Sequence, residues 1–208
     1  MQRQRERQRR VFALAMPAVS EQVLNTMVGL MDVLLVGQLP LTAAKFLGYG
    51  SATALAATGL ASEMFWTMTI FFMAIGTGCT ALTARARGAH DGVMGNSALR
   101  QGLFLGLLAS MVMSVVCILF APQLIGVYGA TDQVTQLGGE FLTILAYAFV
   151  PTAINMIGMA ALRGAGDTRT PLYIMIGVNI LNVVISYLFI GGHYGLPILG
   201  VEGAATGA

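Results

Sequence analysis

The chain has 208 residues, of which 56% are hydrophobic and only 10% are charged, and its mean hydropathy is +0.77. Soluble domains carry roughly 25% charged residues, so a water-soluble globule is excluded, and disorder is excluded because it needs low hydrophobicity and high charge. The net charge of +2 comes almost wholly from the first ten residues, which is no sign of a nucleic-acid domain. Cys79 and Cys117 have no CxxC or metal-type spacing. They read as small apolar residues in helices, not as a disulfide framework. An all-α integral membrane protein remains.

A spanning helix needs roughly 20 mostly apolar residues. Five stretches qualify in chain order: Val11–Gly37, Ala52–Ala84, Ala98–Phe120, Phe141–Leu162 and Leu172–Ile190. The second is longer than a bilayer requires, so its ends are expected to project or the helix to tilt. Residues 1–10 form a basic tail, and residues 11–208 form one transmembrane bundle. The last residues, Val201 to Ala208, read as the start of a sixth helix, so the chain is expected to be a fragment of a longer protein. A cleaved signal peptide fits poorly, because Glu21, Asn25 and Asp32 continue the first segment with no small-x-small cleavage site.

Orientation follows from the basic residues. With the N-terminus in the cytoplasm, ten of the eleven lie inside: Arg3, Arg5, Arg7, Arg9, Arg10, Arg85, Arg87, Arg100, Arg163 and Arg169. Lys45 alone falls outside. The positive-inside rule therefore predicts a multi-pass protein of the plasma (inner) membrane with a cytoplasmic N-terminus.

Charges are costly within a bilayer and usually face the bundle interior. Glu21, Asp32 and Glu63 lie within apolar spans, and the basic residues lie outside the spans or, as Arg100 does, at a span's cytoplasmic end. On the first span, Pro17, Glu21, Asn25 and Asp32 fall on one stripe, each within about 40° of Glu21 at 100° per residue. Pro17 removes a backbone hydrogen bond and predicts a hinge. On the fifth span Asn179, Asn182 and Ser186 fall within about 60° of one another. The fourth carries Thr143, Tyr147, Pro151 and Asn155, and the second carries Glu63 and Thr67. Counted inward from the span ends, Asp32, Ser186, Asn182 and Glu63 are expected to share a layer in the outer half, with Glu21 far deeper. Taken alone, Asn155 and Asn179 are equally explained as interhelical hydrogen bonds. A lone buried carboxylate, by contrast, is either protonated or binds a cation.

Other features read structurally. Gly102 and Gly106 form a GxxxG that predicts close helix packing. His90 and His193 lie in loops, and no metal is assigned to either. No nucleophile elbow, phosphate loop or metal-protease motif is present, so no enzyme is expected. In the run Leu162-Arg163-Gly164-Ala165-Gly166-Asp167-Thr168-Arg169-Thr170-Pro171, the glycines end the fourth helix. Thr170 is expected to cap the fifth, with Pro171 in its first position.

That run resembles the loop between the fourth and fifth helices of the MATE transporters, the multidrug and toxic compound extrusion family. The first span is similar as well, with Pro17, then Asp32 fifteen residues later, then Val36-Gly37. So are Arg87-Gly88-Ala89-x-Asp91 and Gly200-Val201-x-Gly203-Ala204-Ala205. The resemblance runs from Ala15 onward and implies twelve helices in two lobes around a central cavity, of which this chain is the N-terminal lobe. It implies a proton- or sodium-coupled antiporter that exports drugs and other amphipathic or cationic compounds, with no cofactor. Asp32 matches the family's cation-coupling carboxylate and Asn182 the asparagine of the fifth helix. Many prokaryotic members carry an aspartate four residues later, where this chain has Ser186. Expected site residues are therefore Asp32, Asn182, Ser186, Glu21, Asn25 and Glu63 for cation coupling, Pro17 as hinge, and Tyr147, Asn155 and Asn179 for the substrate cavity. Expected partners are small amphipathic or cationic molecules, the bilayer and the second lobe. A lipid-linked oligosaccharide flippase of the same superfamily is the alternative, ranked lower because no Lys or Arg lies in the middle of a span; a non-transporting membrane subunit is a second.

Overall fold

The computed structural model describes residues 12, 15–17, 19–24, 26–27, 29–30, 34 and 50–191. The described residues between 12 and 34 are helical. Four long helices follow: α1 (Ser51–Gly88), α2 (Gly92–Gly126), α3 (Asp132–Gly164) and α4 (Arg169–Gly191). They correspond to the second to fifth predicted spans, and every described element is a helix. Asn25, Asp32, Lys45, His193 and the expected start of a sixth helix lie outside the described residues.

Each helix is longer than its apolar stretch. The first three have 38, 35 and 33 residues, about 50 Å or more at 1.5 Å per residue. A hydrocarbon core is about 30 Å thick, so the ends of all three project. The turns between them are tight. His90 takes a φ of 55° and Gly129 and Gly166 take 68° and 84°, the left-handed region where glycine has no steric penalty. The Asp91 carboxylate accepts a hydrogen bond from the Met94 amide at 2.9 Å and so caps α2.

The helix α3 lies between α1 and α2 and contacts both. Its buried face is Phe141, Leu142, Leu145, Ala146, Phe149, Ala153 and Ile157. Phe149 stacks on Phe65 of α1 at 4.8 Å between ring centres and meets Phe72 edge-on. Alanines 54, 57 and 61 let the α1 backbone approach. The GxxxG of α2 is a notch for α3: at Gly106 a methyl group would overlap Ile157, and at Gly102 it would lie 3.3 Å from both Ile157 and Cys79. This is the close packing the motif predicts. Hydrogen bonds cross between helices from the Thr80 hydroxyl to the Ala160 carbonyl and from the Ser114 hydroxyl to the Ala146 carbonyl, each 2.8 Å, among others. Both cysteines are buried, as small apolar residues would be. The outward surface is as apolar as the core. Phe104, Leu105, Leu108, Met111, Val112, Val115 and Leu119 of α2 are all exposed, which suits lipid and not water.

Candidate functional site

The inward face of α4 is built differently. Its buried residues include Asn179, Asn182 and Ser186, which are 8%, 7% and 0% exposed. Their i, i+3, i+7 spacing places them on one stripe, while Tyr173, Ile180, Leu181 and Val184 face outward. The Asn179 Nδ2 and the Ser186 Oγ are buried with no hydrogen-bond partner among the described residues. A buried polar atom without a partner is costly, so such atoms in a native helix call for an explanation. The sequence-predicted grouping of these three side chains is what the structure shows.

The start of α4 is set by Asp167. Its carboxylate accepts from the Arg169 and Thr170 amides at 3.1 and 3.0 Å and from the Thr170 hydroxyl at 2.6 Å. Those bonds, the Thr170 hydroxyl first, hold the Asp167 carboxyl below its ordinary value. The expectation that Thr170 caps this helix with Pro171 in its first position is thereby corrected. The helix begins at Arg169, Thr170 already lies in its first turn, and Pro171 is fully buried two residues in. One carboxylate oxygen, Oδ1, accepts both amides while Oδ2 accepts the Thr170 hydroxyl, so that hydroxyl is engaged as a donor to Asp167.

Glu21 has a cationic partner. The Arg163 Nη1 donates to both of its carboxylate oxygens, at 2.9 and 3.2 Å. The expectation that every carboxylate of the spans lacks a cation fails here, because α3 runs past Leu162 and carries Arg163 in its last turn. A long arginine stem reaches along the helix end to the carboxylate. Nothing in the isolated sequence linked positions 142 apart. The usable signal was depth: an arginine at one helix end and an acid near the same membrane face.

Other predicted residues fall elsewhere. Glu63 and Thr67 are exposed on α1, and Glu63 points roughly opposite to Ala54, which packs toward α3. Tyr147 is 69% exposed and Pro151 is exposed, while Asn155 is half-buried. The polar i, i+4 stripe of α3 lies on the side of the helix away from α1 and α2. Pro17 lies in the helical N-terminal segment, half-buried. Sequence reading missed an open groove of about 550 Å³ between α2 and α3, lined by Ile118, Leu119, Pro122, Gln136, Glu140 and Thr143 among others. Gln136 and Glu140 precede the apolar part of the fourth span, which is why a search for spans passed over them.

Comparison with known proteins agrees with this architecture. The family model described as MatE matches residues 17–188. A probable multidrug resistance protein NorM of Thermotoga maritima is 29% identical over 202 residues, covering 97% of this chain and 41% of its own length. A probable multidrug resistance protein NorM of Rhizobium meliloti is 32% identical over 195 residues, covering 94% of this chain and 39% of its own length. The outward-facing conformation of a multidrug resistance MATE family transporter of the MOP superfamily superposes with a TM-score of 0.80 at 25% identity, covering 95% of this chain and 41% of that one. The chain thus spans about 40% of the length of the relatives it matches. With four long apolar helices in a matching fold and a family match over most of its length, this multi-pass membrane protein belongs to the MatE family.

Proposed function

We propose that the chain is the N-terminal lobe, residues 11–208, of a cation-coupled antiporter that exports amphipathic or cationic organic compounds. The observation that carries this reading is the buried stripe Asn179, Asn182 and Ser186 on α4, with its unsatisfied Asn179 Nδ2 and Ser186 Oγ. A helix that turns amides and a hydroxyl inward and hydrocarbon outward serves a polar guest, because interhelical hydrogen bonds alone stabilise a bundle by only about 1–2 kcal/mol each. Asp32 supplies the exchangeable charge. Its carboxylate takes up a proton or a sodium ion from one side of the membrane and releases it to the other, while Asn182 and Ser186 offer neutral oxygens to the same cation. Coupling arises if the cation and the drug favour different conformations. The N-terminus is cytoplasmic, on the distribution of arginines. The absence of Lys and Arg from the middle of the spans, with Arg100 only two residues inside a cytoplasmic end, favours this export role over the flippase reading.

The test is export driven by an imposed proton or sodium gradient in inverted vesicles, with drug binding measured directly. Asp32→Asn is expected to abolish uphill export and to leave expression and binding largely intact. Export at the normal rate by Asp32→Asn would reduce that carboxylate to a hydrogen-bonding residue and end this mechanism.

A further inference from the structure

Among the described residues the only ion pair is Glu21 with Arg163, and it joins the N-terminal helix to the far end of α3. We propose that this pair is a latch that keeps the N-terminal helix docked on the corner where α1 and α3 meet. Its bearing on transport rests on the antiporter reading above.

The two sides of the latch differ in rigidity. Arg163 stands on a fixed base. The next residue, Gly164, packs so closely that a methyl group there would strike the Thr83 hydroxyl and the Thr80 backbone. One turn earlier, the Ala160 carbonyl accepts the Thr80 hydroxyl across the same interface. The last turn of α3 therefore moves only with α1. Glu21 stands on a weaker element. Pro17, one turn before it, cannot donate a backbone hydrogen bond. The surrounding Met16, Val19, Val23 and Met27 are exposed, so they do not hold the helix to the bundle. The polar contact at Glu21 ties this helix to the end of α3 through a paired charge.

The pair also has unequal exposure. The Glu21 side chain is 13% exposed and the Arg163 side chain 35%. Glu21 is thus largely withdrawn from water, where an opposite charge at hydrogen-bond distance acts strongly. Arg163 reaches the surface, so it can be rehydrated when the two separate, which lowers the penalty of opening. A closed contact that can reopen is what a latch requires. It lies at the α3 end that the arginine distribution puts at the cytoplasmic face.

The experiment introduces a thiol at position 24 by Leu24→Cys, one turn beyond Glu21 on the half-buried side of the N-terminal helix. Its rate of reaction with N-ethylmaleimide is measured in membrane vesicles. In that background Glu21→Gln and Arg163→Gln are each expected to raise the rate by about tenfold or more, since an unpaired buried charge no longer holds the helix. Arg163→Lys, which keeps the charge, is expected to stay close to the parent. The native Cys79 and Cys117, both buried in the α1–α3 bundle, are internal controls and should stay unreactive. An unchanged rate at position 24, or a parallel rise at Cys79 and Cys117 that signals general loosening, overturns the latch. The labelling needs neither substrate nor gradient, so it stands apart from the transport assay. Failure of the parent protein to export would end the antiporter reading and leave the latch to be decided by labelling. Where the parent does export, Glu21→Gln should change the export rate severalfold; rapid labelling with unaltered export would also overturn the proposal.

Discussion

The helices α3 and α4 are both long and apolar, yet they bury opposite kinds of side chain. The first buries Leu142, Leu145, Ala146, Phe149, Ala153 and Ile157; the second buries Asn179, Asn182 and Ser186. Water would never allow such a contrast, because it drives apolar groups inward everywhere. In lipid the tails are as apolar as leucine, so there is no such sorting force, and helices associate through close packing and a few hydrogen bonds. The inward face of a membrane helix is therefore free to record what the helix is for. The interior of α3 is shape: aromatic stacking, alanine, and Ile157 seated in the Gly102–Gly106 notch. The interior of α4 is chemistry. One region packs the described helices together, and the other, in the function proposed above, faces what the lobe handles.

That division predicts opposite mutational profiles. The largest stability loss is expected at Gly164→Val, because the new side chain would meet the Thr80 backbone, which no rotamer change relieves. Overpacking of this kind costs about 3 kcal/mol, or more where backbone must move. The expected readout is loss of a monodisperse peak on size exclusion in detergent. Gly106→Leu should do somewhat less, since the clashing group there is the tip of Ile157.

On α4 the profile inverts. Asn182→Val and Ser186→Ala are expected to change the melting temperature little, since each polar contact is worth about 0.6–2 kcal/mol in a membrane bundle. Gradient-driven export should nevertheless fall sharply. If Asn182→Val unfolded the protein as Gly164→Val does, the contrast between the two helices would collapse and the stripe would be ordinary packing.

The two helices were also unequally legible in sequence. The existence and order of the spans, the polar stripe of α4 and the glycine notch of α2 follow from hydropathy and helical phase, because both act within one helix. Placement across helices does not. Glu63 and Tyr147 have the spacing of cavity residues, yet they turn away from the core. The phase of a polar stripe says which residues share a face, not what that face meets. In α1 the deciding signal was the opposite stripe, Ala54, Ala57 and Ala61, whose small size marks the contact with α3. The Glu21–Arg163 pair was hidden because apolar length alone set the ends of the spans, and α3 continues beyond its apolar part. The cap of α4 was misassigned to Thr170 because Pro171 drew attention to position, when Asp167 three residues earlier had the larger hydrogen-bonding capacity.

The smallest expected effect sharpens the comparison at the junction of the two helices. With few apolar contacts between α3 and α4, the entry to α4 depends on Asp167, which gathers the Arg169 and Thr170 amides and the Thr170 hydroxyl. The carboxyl is held below the ordinary carboxylate value, chiefly by the Thr170 hydroxyl. A carboxyl held low in the folded state stabilises fully above its unfolded value, and that contribution is lost only as pH falls through the lower folded value. Asp167→Asn keeps an acceptor but loses the charge that favours a helix start. Its melting temperature in detergent should lie slightly below the parent's by a constant margin from pH 8 to pH 5. The margin should close only in more acid solution, below about pH 4. The group is exposed to solvent, so the margin should also shrink in high salt. A difference that disappeared between pH 7 and pH 5 would show that the carboxyl is not held low. The start of α4 would then be fixed by the burial of Pro171 and not by its cap.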